Sequence, residues 1–220
     1  MEYTYVQLKD IERYNEWWLT GKVRKELALE YRRAPFGSAF NLLDKRQITI
    51  LTGLRQVGKT TILYQIIEEL LKKVNERNIL YYSFEEKGER VKDVLETYER
   101  SVLRKTLYEA GKLYIFLDEV QYSPDWVGTV KRFYDLYPNI KFYLSGSSFL
   151  LLSENALKSL AGRFFFVEVY PLTFREFLQL RGLDVKEPNS MLEPYFSDYL
   201  AKAGFPEIAE WSDSRLVKDI

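Results

Sequence analysis

Two apolar rhythms take turns along this chain. The runs "RQITILTG" (46–53), "NILYYSF" (78–84), "KLYIFLDE" (112–119), "IKFYLSGSS" (140–148) and "RFFFVEVYPL" (163–172) are short and rich in β-branched and aromatic residues. They are too continuous for a strand with one wet face, so they predict strands buried on both sides. Between them, apolar residues return every three or four positions. Ile62, Leu63, Ile66, Ile67, Leu70, Leu71 and Val74 predict a helix from Lys59 to Val74. Val91, Val94, Leu95, Tyr98 and Val102 predict a second helix, and Trp126, Val127, Val130, Phe133, Tyr134 and Tyr137 a third. Ser123 reads as the N-cap of that third helix, with Pro124 at its first position. Thr173 and Glu176 in "TFRE" form a capping box that opens a further one. This alternation predicts an α/β fold, a parallel sheet covered by helices on both faces and joined by right-handed crossovers. In such sheets ligands gather at the carboxyl ends of the strands.

The ends break the rhythm. Residues 5–33 read as two helices interrupted at "LTGK", with Trp17, Trp18, Val23, Leu27 and Leu29 as their apolar surface. "APFGSAF" (34–40) reads as a turn-rich linker. The closing "SDSRLVKDI" opens what reads as a helix and then stops, so a further domain is expected after it. The division expected is an N-terminal helical segment (1–40), a core (41–172) and a C-terminal helical region (173–220).

Composition narrows the chemistry more than the fold. Lys+Arg 32 against Asp+Glu 32 gives no net charge, so nothing global draws the chain to nucleic acid. With Cys 0 and His 0, disulfides, thiol nucleophiles, zinc knuckles and imidazole bases are excluded, and any general base must be a carboxylate, Lys or Tyr. No apolar run approaches the roughly 18 residues of a membrane span, and the start lacks a signal-peptide core, so a cytoplasmic place without a membrane partner is expected.

The first strand runs straight into Gly53, Leu54, Arg55, Gln56, Val57, Gly58, Lys59 and Thr60, followed by Thr61. This fits G-x-x-x-x-G-K-[ST], the Walker A phosphate cradle, with a strand before it and a helix after it. The glycines let successive N–H groups turn inward toward phosphate oxygens, and the helix start adds partial positive charge. Lys59 would reach the β- and γ-phosphates, and the Thr60 hydroxyl would take one position on Mg²⁺. "LYIFLDE" brings two carboxylates to a strand end, in the manner of a Walker B segment. Asp118 would share the cation through water, and Glu119, pointing to the other face, would orient and deprotonate the attacking water. The fourth strand ends "LSGSS", where Ser145 or Ser147 would sense the γ-phosphate. Arg163, after Gly162, would neutralise phosphate charge in the transition state, from this subunit or a neighbour, and Arg55 is a further phosphate or partner contact. The interleaved aromatics and cations of "WVGTVKRFYDLYP" invite a nucleic-acid reading, but one helix face packed on the sheet explains them better.

Taken in order, "NEWW", "GLRQVGKTT", "FLDEVQ", "LSGSS", "SLAGR" and "YPLTFREFL" resemble a family of archaeal and bacterial AAA+-like P-loop ATPases. The likeness spans roughly residues 10–220. It implies a P-loop NTPase of the AAA+ (ASCE) type with a five-stranded sheet ordered 5-1-4-3-2. It also implies Asp118 on Mg²⁺, Glu119 as base, a sensor on strand 4, an arginine near Arg163 and a small helical lid over 173–220. Such proteins usually continue into a winged-helix region, often with a nuclease-like domain beyond. This chain departs from the pattern in offering Ser where many AAA+ proteins have Asn, and in showing no clear second sensor arginine, although Arg175, Arg181 and Arg215 lie in the last stretch. The expectation is an ATPase that uses ATP and Mg²⁺, releases ADP, and drives or times a conformational change in a larger protein. ATP rather than GTP rests on the resemblance and on the lack of an N-K-x-D signature. The rival readings are a slow signalling switch, a phosphotransferase and a DNA-associated module. Expected partners are an unidentified protein or a following domain, nucleic acid only through that domain, and other copies of the chain in a homo-oligomer.

Overall fold

The computed structural model describes residues 6–85, 88–147, 154–183 and 189–209. The "SDSRLVKDI" segment, Arg215 and Ser148 of "LSGSS" therefore lie outside the described residues.

Five parallel strands form the sheet: β1 (Ile48–Gly53), β2 (Ile79–Ser83), β3 (Leu113–Asp118), β4 (Ile140–Ser147) and β5 (Phe164–Glu168). Their order is β2-β3-β4-β1-β5, the expected 5-1-4-3-2 read from the other edge. Four of the strands are buried almost throughout, which is why they read as unbroken apolar runs. β5, at the edge, leaves Phe165 and Phe166 exposed. Register sets the chemistry. Gly53 pairs with Ser147 and Ser83 with Asp118, so the ends of four strands gather along one edge.

The first helices are α1 (Leu8–Tyr14), α2 (Trp17–Thr20) and α3 (Ala34–Phe40). α3 packs against β5 at one edge of the sheet, while the first two cover the opposite, β2 edge, an otherwise open row of backbone groups. Asn15 completes that edge as a strand would: its Nδ2 donates to Tyr81 O and its Oδ1 accepts from Tyr81 N, both at 2.7 Å. The Trp18 indole N–H donates to Ile79 O at 2.8 Å, which accounts for the "NEWW" stretch. Two expectations fail here. "APFGSAF" is helix α3 rather than a linker, because Pro35 sits in the first turn, where no N–H is needed, and Phe36 stacks on Phe40 one turn later at 5.5 Å. The second helix expected within 5–33 does not form. After Gly21, left-handed at φ 67, the backbone gives its carbonyls to α4 (Lys59–Leu71) instead. Gln65 Nε2 donates to Leu29 O at 2.6 Å and to Tyr31 O at 2.9 Å.

The remaining helices are α5 (Val91–Thr97), continued by a π-helical turn at Tyr98–Leu103, then α6 (Trp126–Leu136), α7 (Glu154–Ser159), α8 (Phe174–Leu180), α9 (Asn189–Ala201) and α10 (Pro206–Ala209). Ser123 does not cap α6. Its buried hydroxyl accepts the Val91 N–H at 3.0 Å and so caps α5, while α6 starts only after Asp125, which is left-handed at φ 53. The Thr173–Glu176 capping box opens α8 as expected. No described helix is long and apolar enough to cross a membrane.

Candidate nucleotide site

The cradle takes its shape from the Gly53–Lys59 backbone. A Cβ on Gly53 would run into the Val169 carbonyl, so the close approach of that segment admits only glycine. Gln56 (φ 62) and Gly58 (φ 94) curl the loop before α4 begins. Lys59 is 4% exposed, and its Nζ donates back across the loop to Gly53 O (3.2 Å) and Leu54 O (2.7 Å). Burial lowers its pKa, against the opposing pull of Glu119 and Asp118.

Beside the lysine, β3 delivers Asp118, 2% exposed. Its Oδ2 accepts from Thr60 Oγ1 (2.6 Å) and from the Tyr81 hydroxyl (2.7 Å). Its Oδ1 accepts the Ser145 hydroxyl and the Glu119 N–H. Glu119 follows in a left-handed conformation (φ 49, ψ 39), which costs a non-glycine residue about 1 kcal/mol. Gln121 Nε2 donates to Glu119 Oε2.

These groups open onto a cleft of about 630 Å³. Arg55, Gln56, Gly58, Lys59, Thr60, Thr61 and Glu119 line one part of it. Leu29, Glu85, Leu180, Pro206 and Glu207 line the rest. Thr60 and Asp118 together suit Mg²⁺, which commonly takes one or two protein oxygens and completes its shell with water and phosphate. Among the described residues no group of three His, Cys, Asp or Glu side chains forms a separate cage for a metal.

The structure brings the cradle, Asp118, Glu119 and Ser145 together. Ser147 shares the Ser145 face of β4, two residues further toward the strand's carboxyl end, where it pairs with Gly53. Arg163 does not join them. It precedes β5, where its carbonyl accepts the Ile48 N–H at the start of β1, and its guanidinium pairs with Asp135 at 3.0 Å. Gly53 is at the far end of β1, about 17 Å away at strand rise. Within one chain, Arg163 and the cradle thus sit at opposite ends of β1.

Sequence reasoning missed the Tyr81 donor, because "NILYYSF" reads only as core, and gave Gln121 no role although it stands in "FLDEVQ". It also missed most of the second wall, where Leu29 was seen only as apolar surface. Its residues come from four distant segments that share no motif.

A family model described as an AAA domain matches residues 45–178. The chain belongs to this AAA family of P-loop ATPases. The chain is 32% identical over 183 residues to the uncharacterised protein MJ1544 of Methanocaldococcus jannaschii, covering 81% of this chain and 40% of that protein. It is 38% identical over 140 residues to MJ1637 of the same organism, covering 62% and 28%. The chain thus spans two-fifths or less of the length of these curated relatives. Among solved structures, the Walker-type ATPase PABY2304 of Pyrococcus abyssi shares the fold at a TM-score of 0.57 and 21% identity, over 90% of this chain and 72% of that one. Hsp104 of Saccharomyces cerevisiae, solved in complex with casein, shares it at 0.54 and 17%, over 89% and 38%.

Proposed function

We propose that this AAA domain binds ATP with Mg²⁺ and hydrolyses it to ADP, driving or timing a conformational change in a larger protein. The observation that carries the reading is the 2.6 Å contact between Thr60 Oγ1 and Asp118 Oδ2 at the mouth of a glycine-shaped cradle, with Glu119 on the same cleft. In this reading Lys59 exchanges the Gly53 and Leu54 carbonyls for β- and γ-phosphate oxygens. Thr60 and Asp118 hold the cation, which when bound neutralises phosphate charge. Glu119 takes the proton of the attacking water, and Ser145 or Ser147 senses the γ-phosphate. The apolar wall of Leu29, Leu180 and Pro206 receives the base, with α8–α10 acting as a lid.

Single-turnover hydrolysis of ATP with Mg²⁺ tests the proposal. The wild type should cleave, whereas Glu119→Gln should hold ATP and lose turnover by about a hundredfold or more, the usual contribution of a general base. Full activity in Glu119→Gln would remove it as the base. Lys59→Ala should bind nucleotide weakly or not at all by calorimetry. One observation favours a second reading, a slow switch: Glu119 is held by Gln121 and Lys59 is turned back on its own loop. In that case the wild type binds ATP but releases no phosphate over many minutes.

A further inference from the structure

Arg33 lies outside every motif, yet its side chain is only 10% exposed and joins the cradle backbone to the first turn of α8. Its Nη1 donates to Val57 O in the cradle at 2.8 Å. Its Nη2 donates to Tyr170 O at 2.9 Å, and Nε and Nη2 fork onto the Glu176 carboxylate at 2.9 and 3.2 Å. Glu176 is the capping residue of α8, and Leu180, one turn further along that helix, lines the cleft.

The Val57 contact has a geometric consequence. Val57 C=O and Gly58 N–H belong to one trans peptide plane and point in opposite directions. A donor that fixes the carbonyl outward therefore aims the Gly58 N–H inward, toward the cleft that Gly58 lines. Burying an arginine and a glutamate costs desolvation that a purely structural contact could avoid with apolar residues. The planar fork also grips the Glu176 carboxylate with two N–H groups while a third reaches Val57 O, a bidentate geometry that a compact ammonium does not match.

We propose that Arg33 is a positioning residue that sets the Val57–Gly58 peptide for phosphate and couples the cradle to α8, so that nucleotide occupancy is felt by the C-terminal helices. The inference rests on the cleft being a nucleotide site. Its test is calorimetry of ADP and ATP with Mg²⁺, together with hydrogen exchange at α8, on the wild type, Arg33→Ala and Arg33→Lys. Arg33→Ala should bind nucleotide about tenfold or more weakly, as expected when a charge-assisted hydrogen bond is lost. Arg33→Lys should fold and recover part of the affinity. Nucleotide should slow exchange at α8 in the wild type but not in Arg33→Lys, a readout that a merely structural arginine would not move. Wild-type affinity and wild-type protection of α8 in Arg33→Lys would overturn the inference alone. No nucleotide binding by the wild type would overturn the reading of the cleft and this inference with it. If Arg33→Ala does not fold, Arg33→Lys decides.

Discussion

Asp118 shows what a single carboxylate demands of its surroundings. Buried at 2% exposure, it is met by donors from α4, β2, β4 and its own following peptide. Removing one donor to a buried charged group costs about 1.5–3 kcal/mol. That distinguishes the two serines that sequence alone leaves equivalent. Ser145→Ala takes away a donor to Asp118 and the acceptor 3.4 Å from the Glu119 N–H, so it should lower both unfolding free energy and turnover. Ser147→Ala, at the strand edge, should stay within about 0.5 kcal/mol of the wild type, as surface substitutions usually do. Urea denaturation of the two variants checks this, and equal losses would undo the distinction. The motif residues were legible because short-range spacing fixes their place: Gly53, Lys59, Thr60, Asp118 and Glu119 all sit where strand and helix ends put them. Tyr81 and Arg33 were not, since their partners lie 37 and 24 residues or more away and nothing local marks the pairing.

At the level of elements, the central strands were readable because burial on both faces leaves a continuous apolar signature. The N-terminal segment was not, because its side chains Asn15 and Trp18 bond the β2 backbone and its Leu29 and Tyr31 carbonyls are taken by Gln65 of α4. β4 carries a further feature that its apolar run conceals. Lys141 is fully buried, with Nζ donating to Gln47 O and Thr49 Oγ1. A neutral amine has two N–H groups for these two acceptors, and burial, with a smaller push from Lys112, lowers its pKa from 10.5 to about 7. Between these values the unfolded chain holds a proton that the folded chain does not, so this group makes stability rise with pH across the window. Below about pH 7 both states carry the proton, and the contribution is flat at its lowest. Lys141→Met should therefore remove a positive slope from the stability–pH curve between about pH 7 and 10. Denaturant unfolding of both proteins across that range measures it, and parallel curves would show that Lys141 is charged in the folded state.

The whole molecule presents two unlike ends. The carboxyl edge of the sheet bears the cleft, while the amino edge bears Arg163, paired with Asp135 on the surface. With about 17 Å of strand between them, an arginine at this place meets a phosphate only when a second copy stacks its amino edge over the first copy's cleft. That is a head-to-tail contact, and contacts of this kind close into rings or extend as filaments. If Arg163 acts in this way, its loss and the loss of the cradle lysine fall on different subunits of the same active pair. Arg163→Ala keeps a sound cleft but has no arginine to lend, whereas Lys59→Ala lends a sound arginine but has a disabled cleft. Each alone should hydrolyse ATP poorly, and mixing them should restore turnover at the interfaces where a Lys59→Ala copy serves an Arg163→Ala neighbour. The recovered rate should rise with total protein concentration, because association precedes chemistry. A mixture no more active than the sum of its parts, together with wild-type turnover that is unchanged per site on dilution, would leave Arg163 as a surface partner of Asp135.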